Sequence, residues 1–219
     1  MDRLLNTQKE QRENHTFIKK IPLISGGGKV EEYDIQECFS HRRSRREFWP
    51  GAMTKRQLSY ILWHTARIQK EVGDQTYTPI PSGGNLHPLS VSIALLNILD
   101  MEKGIYEYSP KDHCLYLIER RENMKQGIKD VFQGQDFVAN ASFVYGISGD
   151  EKKVKNKFPD HWEKLMLLEA GHLGQQIMLA CESLHLGTCP IGIFDPLKGQ
   201  EFFKSKGTLI YCFPVGINP

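Results

Sequence analysis

The segment His41-Arg42-Arg43-Ser44-Arg45-Arg46-Glu47-Phe48 sets four arginines around one serine. Guanidinium forks bind phosphate bidentately and stay charged, and a serine hydroxyl adds a neutral hydrogen bond, so the group suits one small phosphorylated ligand. A solvated basic turn or a nucleic-acid patch is the competing reading of the same residues. A second cluster, Pro81-Ser82-Gly83-Gly84-Asn85-Leu86-His87-Pro88, bends sharply and then enters an apolar run. Its glycines permit positive φ and close backbone approach, while Ser82 and Asn85 offer hydrogen bonds to a flat polar ring edge. A third, Leu186-Gly187-Thr188-Cys189-Pro190-Ile191-Gly192-Ile193-Phe194-Asp195, joins a helix stop to a small-residue strand end whose N–H groups suit a ring carbonyl or nitrogen. Taken alone, the second cluster is a turn and the third a connection.

Between them lies an apolar helical stretch carrying Glu169-x-x-His172 and Glu182-x-x-His185. Paired E-x-x-H units build di-iron carboxylate sites, but this spacing on one helix separates the pairs by ~20 Å, and no metal is expected. Each pair alone is a capped or solvated polar patch. Gly171 and Gly174 cost a helix roughly 1 kcal/mol each relative to alanine, which points to a face closely approached by another helix or a ligand. The sequence contains no hydrolase nucleophile elbow, Walker A loop or G-x-G-x-x-G fingerprint.

The elements that must position these clusters alternate along the chain. A helix leads up to Arg42, and another starts at Thr54, whose Thr54-x-x-Gln57 capping box precedes Leu58, Ile61, Leu62 and Thr65. Leu89 to Leu99 reads as a buried strand, Ile105–Tyr108 and Leu115–Ile118 as a hairpin, and Met124 to Asn140 as a helix. Phe143 to Ile147 is a core strand. His161 to Leu186 is the longest helix, with Gly187 as its left-handed cap, and Cys189–Phe194 and Thr208–Val215 complete the strands. The fold class is therefore α+β, with a mixed sheet. Residues 1–30 are polar, end in Gly26, Gly27 and Gly28, and read as an arm and loop, leaving 31–219 as one domain.

The 219 residues, 40% hydrophobic and 25% charged, suit a single globular core. A net charge of +2 gives no electrostatic reason to expect nucleic acid or an anionic membrane, and no aromatic platform accompanies the arginines. No stretch reaches the length of a membrane span, the N-terminus lacks a secretory signal pattern, and five dispersed cysteines without a C-x-x-C pair read as reduced thiols, so a cytoplasmic protein is expected.

In order, R-R-S-x-R, P-S-G-G-N-x-x-P-L, L-L-E-A-G-H-x-G-Q and L-G-T-C-P-I-G-x-F-D resemble the nitroreductase family, most closely its SagB-type branch of azoline dehydrogenases. The likeness runs from Ser40 to Gly216 and includes the Gly104-Ile105-Tyr106-Glu107-Tyr108 hairpin followed by His113. It implies a nitroreductase-like fold, with a mainly antiparallel sheet flanked by helices, and an obligate homodimer holding FMN between protomers. Arg42, Arg43, Ser44 and Arg46 would hold the phosphate, ribityl chain and pyrimidine edge, while Pro81, Ser82, Gly83 and Asn85 would reach the same flavin from the other subunit. Ile191 and Gly192 would lie over the ring near N5. A Lys-Tyr pair of the peptide-oxidising branch falls on Lys157-Phe158, which keeps Lys157 as catalytic candidate and loses the hydroxyl. The implied activity is hydride transfer at flavin N5 to or from an organic substrate, a peptide azoline or a quinone or nitroarene, with NADPH or NADH as electron donor for a reductase. The alternative is a flavin-binding subunit of a peptide-modifying complex without turnover.

Overall fold

The computed structural model describes residues 17–27 and 34–219. In chain order the strands are β1 (Lys19–Pro22), β2 (Lys70–Val72), β3 (Gln75–Tyr77), β4 (Leu89–Leu95), β5 (Gly104–Ser109), β6 (Cys114–Arg120), β7 (Phe143–Gly149), β8 (Leu186–Thr188) and β9 (Thr208–Ile217). The helices are α1 (Ile35–His41), α2 (Lys55–Ala66), α3 (Met124–Val131), α4 (Glu151–Lys155), α5 (Trp162–Ser183) and α6 (Pro196–Phe203). Seven strands form one sheet in the order β1-β6-β5-β4-β7-β9-β8, and every neighbouring pair is antiparallel, a simpler sheet than the mixed one expected. β2 and β3 form a separate hairpin.

Side chains alternate across the sheet as the pleat demands. Ile93, Tyr106, Tyr145 and Phe213 face a cluster completed by Leu58, Ile61 and Leu62 of α2 and Leu173 and Ile177 of α5. Their sequence neighbours Ala94, Ile105, Val144 and Cys212 face Ile128 and Val131 of α3 and Phe202 and Phe203 of α6. Both faces are covered, which is why β4 and β7 read as nearly continuous apolar runs. The helix starts follow their caps: Thr54 and Gln57 close a capping box on α2, and Asp34 and Glu37 close one on α1.

Several expectations are corrected. The helix expected over 124–140 stops at Val131, turns through Gly134 at φ 73°, and resumes as a 3-10 turn over Asp136–Asn140. Helix α5 ends at Ser183, and the left-handed residue closing it is His185 at φ 57°; Gly187 belongs to β8, where a Cβ would press on Phe48 at 3.3 Å. The first strand of the sheet, β1, lies inside the segment read as an arm; residues 1–16 and 28–30 of that segment lie outside the described residues.

The hairpin motif ending in His113 has a local structural role. Tyr108 Oη lies 2.8 Å from His113 Nδ1, and Ser59 Oγ lies 3.0 Å from Nε2. Ser59 also bonds both the N–H and the carbonyl of Ile24, at 2.8 and 3.0 Å, so the network fastens the chain after β1 to α2. Burial lowers the His113 pKa to about 4, against the counter-effect of its bond to the Ile24 carbonyl. The unfolded chain therefore binds a proton near pH 6.5 that the folded chain refuses, and stability falls as pH drops from 6.5 toward 4. His113→Gln is expected to remove about 2 kcal/mol of the stability difference between pH 7 and pH 5, read as the change in urea midpoints relative to wild type.

Candidate functional site

Beyond α1 the chain is extended and docks on the end of the sheet: the Arg45 N–H donates to the Thr188 carbonyl and the Trp49 N–H to that of Ile217, both at 2.9 Å. Phe48 fits against Gly187 and Gly216, where Cβ atoms would crowd its ring. The docking sorts the four arginines. Arg45 turns inward to Glu182 at 3.2 Å, a buried carboxylate. Arg42 reaches only the Met178 sulfur, at 3.9 Å, while Arg43 and Arg46 are exposed. Among the described residues no carboxylate pairs with Arg42, Arg43 or Arg46. Three like charges held within five residues repel one another and favour an anionic ligand.

The third cluster comes to the same place. Burial raises the Cys189 pKa, and the nearby Arg46 charge and Ser44 side chain oppose it, which sets this thiol beside the arginine segment. Two residues on, Ile191 pairs with Cys212 through hydrogen bonds of 2.8 and 3.0 Å. The Ile191 side chain is 3% exposed and packs in the core under α3 and α6, so this position offers a ligand backbone rather than side chain. Gly192 is exposed, a Cβ there would meet only Tyr211 at 3.8 Å, and neither Gly192 nor Ile193 donates its N–H among the described hydrogen bonds. Tyr211 is a residue that spacing alone did not reveal. Its ring lies between Gly174 and Gly192, and its hydroxyl has no hydrogen bond among the described residues. Burial first, and then Cys189, raise its pKa, so the phenol stays protonated near neutral pH.

The Pro81–Asn85 cluster sits at the other end of α5. Gly84, Asn85 and His87 adopt φ of 64°, 57° and 47°. Two of these three are not glycine, and each such left-handed residue costs on the order of 1 kcal/mol, so the surroundings must hold the turn. Ser82 Oγ donates to Glu169 Oε2 at 2.6 Å and accepts the His87 N–H at 2.8 Å. The Asn85 amide is spent on Thr76 and on the His87 ring, which ties the loop to the β2–β3 hairpin. Lys153 Nζ donates to the His87 carbonyl and Lys157 Nζ to that of Gly84, each at 3.1 Å. Phe158 packs on Gly84, whose Cβ would lie 2.9 Å from its ring. Gly83 faces the Leu165 side chain, and Pro81 is exposed. The polar side chains of this loop thus turn toward the protein.

The two E-x-x-H units resolve into separate roles: Glu169 anchors the loop at one end of α5 and Glu182 the arginine segment at the other, while His172 and His185 are exposed. The two glutamates lie ~20 Å apart along the axis. Around Glu169 the helix carries an open stripe containing Leu167 and Leu168, each about half exposed, and Gly171, where a Cβ would meet nothing within 4 Å. Gly174 faces inward, against Phe213 and Tyr211. Among the described residues no group of three or more His, Cys, Asp or Glu could hold a metal, and no helix is long and apolar enough to cross a membrane.

The profile of the nitroreductase family matches residues 39–217, a span holding all three clusters. The chain belongs to the nitroreductase family. A Methanocaldococcus jannaschii protein provisionally named a nitroreductase is 29% identical over 187 residues, covering 85% of this chain and 92% of that one. Among solved structures, an Anabaena variabilis protein, also provisionally named a nitroreductase, superposes with TM-score 0.80 at 26% identity. That match covers 92% of this chain but only 42% of the longer Anabaena chain. The Escherichia coli microcin synthetase McbBCD complex, solved with truncated pro-MccB17 bound, contains a chain of the same fold at TM-score 0.67 and 18% identity, covering 97% of this chain and 82% of that one. This nitroreductase-family chain shares with these structures the sheet and the helices that place its clusters.

Proposed function

We propose that the protein is a homodimeric, cytoplasmic, FMN-dependent oxidoreductase whose two flavin sites are each built from both protomers. The observation that carries this is the trio Arg42, Arg43 and Arg46, which have no carboxylate partner among the described residues and flank Ser44 in the chain, with Arg46 and Ser44 acting on Cys189, three residues before the exposed Gly192. This donor set fits FMN: guanidinium groups and a hydroxyl for the phosphate, and unused N–H groups of Gly192 and Ile193 for the electron-rich edge of the ring. The Pro81–Asn85 loop meets α5 at Glu169, ~14 Å along the axis from Met178, which Arg42 touches, and we assign it to the flavin held by the arginines of the other protomer. Packing the open stripe around Gly171 against its copy about a two-fold axis would bring the loop of one chain to the arginines of the other.

When bound, the flavin supplies hydride acceptance and donation at N5. The protein supplies anchoring, orientation and proton handling. Oxidising a peptide azoline removes a hydride and a proton, and we assign Lys157, whose amine lies at the Gly84 carbonyl, to take the proton. Reducing a quinone or nitroarene needs the proton delivered instead, with NADPH or NADH as the hydride source. Likeness in fold to a chain of the microcin complex favours a peptide substrate. Phe158 motivates a second reading, a flavin-binding subunit without turnover, because the ring against Gly84 carries no hydroxyl.

The test is the visible spectrum of the purified protein, identification of any heat-released flavin, and the solution mass. Two flavin bands, released FMN and a dimer are expected. Rapid bleaching by NADPH or NADH marks a reductase, and bleaching by an azoline peptide with reoxidation in air marks a dehydrogenase. Bound FMN that neither bleaches selects the subunit reading. A colourless protein that takes up no added FMN would overturn both.

A further inference from the structure

The left-handed turn at Gly84–His87 is held by groups of the chain itself, two of which, Ser82 and Glu169, come from separate motifs. Glu169 is 5% exposed, and its one described hydrogen bond is the 2.6 Å bond accepted from Ser82. The same Ser82 oxygen accepts the His87 N–H, so its single proton and one lone pair are committed inside the protein. Lys153 donates to the adjoining carbonyl of His87 at 3.1 Å. Burial raises the Glu169 pKa, against the opposing effects of the Ser82 bond and the Lys153 charge.

We infer that Glu169 is a positioning residue: through Ser82 it holds the Gly84–His87 turn in its left-handed shape before the ligand arrives, and it orients the Ser82 hydroxyl so that this group can accept from a ligand but cannot donate to it. The ligand atom facing Ser82 is then an N–H, as on an imide edge, rather than a carbonyl oxygen. This rests on the FMN reading for the identity of the ligand, whereas the clamp consists only of contacts within the chain. Lys153 is the second jaw of the same clamp.

Two measurements on full-length protein separate these claims: amide hydrogen exchange at His87 in the apoprotein, and FMN titration followed by flavin fluorescence. Glu169→Ala is expected to speed exchange at His87 at least tenfold and to weaken FMN binding at least tenfold. Glu169→Gln, which keeps an acceptor for Ser82, is expected to restore both to within threefold of wild type. Exchange at His87 in Glu169→Ala within twofold of wild type overturns the clamp, as does a Glu169→Gln variant no better than alanine. Should Glu169→Ala not fold, Glu169→Leu takes its place, since it removes the acceptor for Ser82 while keeping most of the side-chain volume and leaves the Ser82–His87 bond in place; unchanged His87 exchange in that variant overturns the inference. Wild-type protein that binds no FMN sinks the flavin reading alone, because the exchange measurements still judge the clamp.

Discussion

Gly171→Leu is expected to halve the solution mass and to abolish measurable FMN binding, a loss of more than about 100-fold, while leaving the protomer at least as stable as before. Among the described residues a Cβ at this position meets nothing within 4 Å, and replacing a mid-helix glycine by leucine gains roughly 0.8 kcal/mol of helix propensity. Any loss must therefore come from what α5 packs against outside its own chain. The neighbouring helix glycine supplies the contrast. A Cβ at Gly174 would lie 2.7 Å from Phe213, so Gly174→Ala is expected to destabilise the protomer itself by about 1–3 kcal/mol through overpacking. Size-exclusion mass, FMN titration and thermal melting together distinguish the two. An unchanged mass with full FMN binding in Gly171→Leu would show that the open stripe is not the dimer face.

The double change Arg43→Ala with Arg46→Ala is expected to cost at least ~100-fold in FMN affinity, since each charge-assisted hydrogen bond contributes about 1.5–3 kcal/mol. Neither residue pairs with a carboxylate among the described residues, so the apoprotein is expected to melt at the same temperature or slightly higher, relieved of like-charge repulsion. Arg45→Ala should do the reverse. It strands buried Glu182 and is expected to destabilise the fold by about 3–5 kcal/mol, discounted somewhat because Arg45 keeps 22% of its side-chain surface in water. Titration and melting of the two variants side by side test whether these adjacent arginines divide binding and structure between them. Equal losses of stability in both would show that they do not.

Much of this was legible in the sequence where the determinant is local. The Thr54–Gln57 capping box, the period-two strands and the hairpin around Ser109–His113 all declare themselves within a few residues. The failures are equally physical. α6 opens at Asp195, which caps it, and Pro196 at its first turn, a clear start signal inside a segment read only as a strand end. Gly187 looked like a helix cap because glycine allows left-handed backbone, yet it is small to admit Phe48, a contact made across 139 positions of sequence. The site followed the same rule. The motifs located three clusters, but the bond joining Ser82 to Glu169 spans 87 positions, and no local pattern encodes it. Ile191, marked by its motif, spends its side chain on the core, while Tyr211, marked by none, sets its ring beside Gly192.

Helix α5 carries one anchor at each end, Glu169 for the loop and Glu182 for the arginine segment. In the proposed two-fold pair that arrangement would make each site a joint property of two copies of the chain. A chain defective in its arginines and a chain defective in its loop, each inactive as a pure preparation, regain one intact site when mixed as subunits. The length of the helix then acts as a gauge, since inserting a single turn between the two glutamates would leave both anchors whole and yet misalign every shared site.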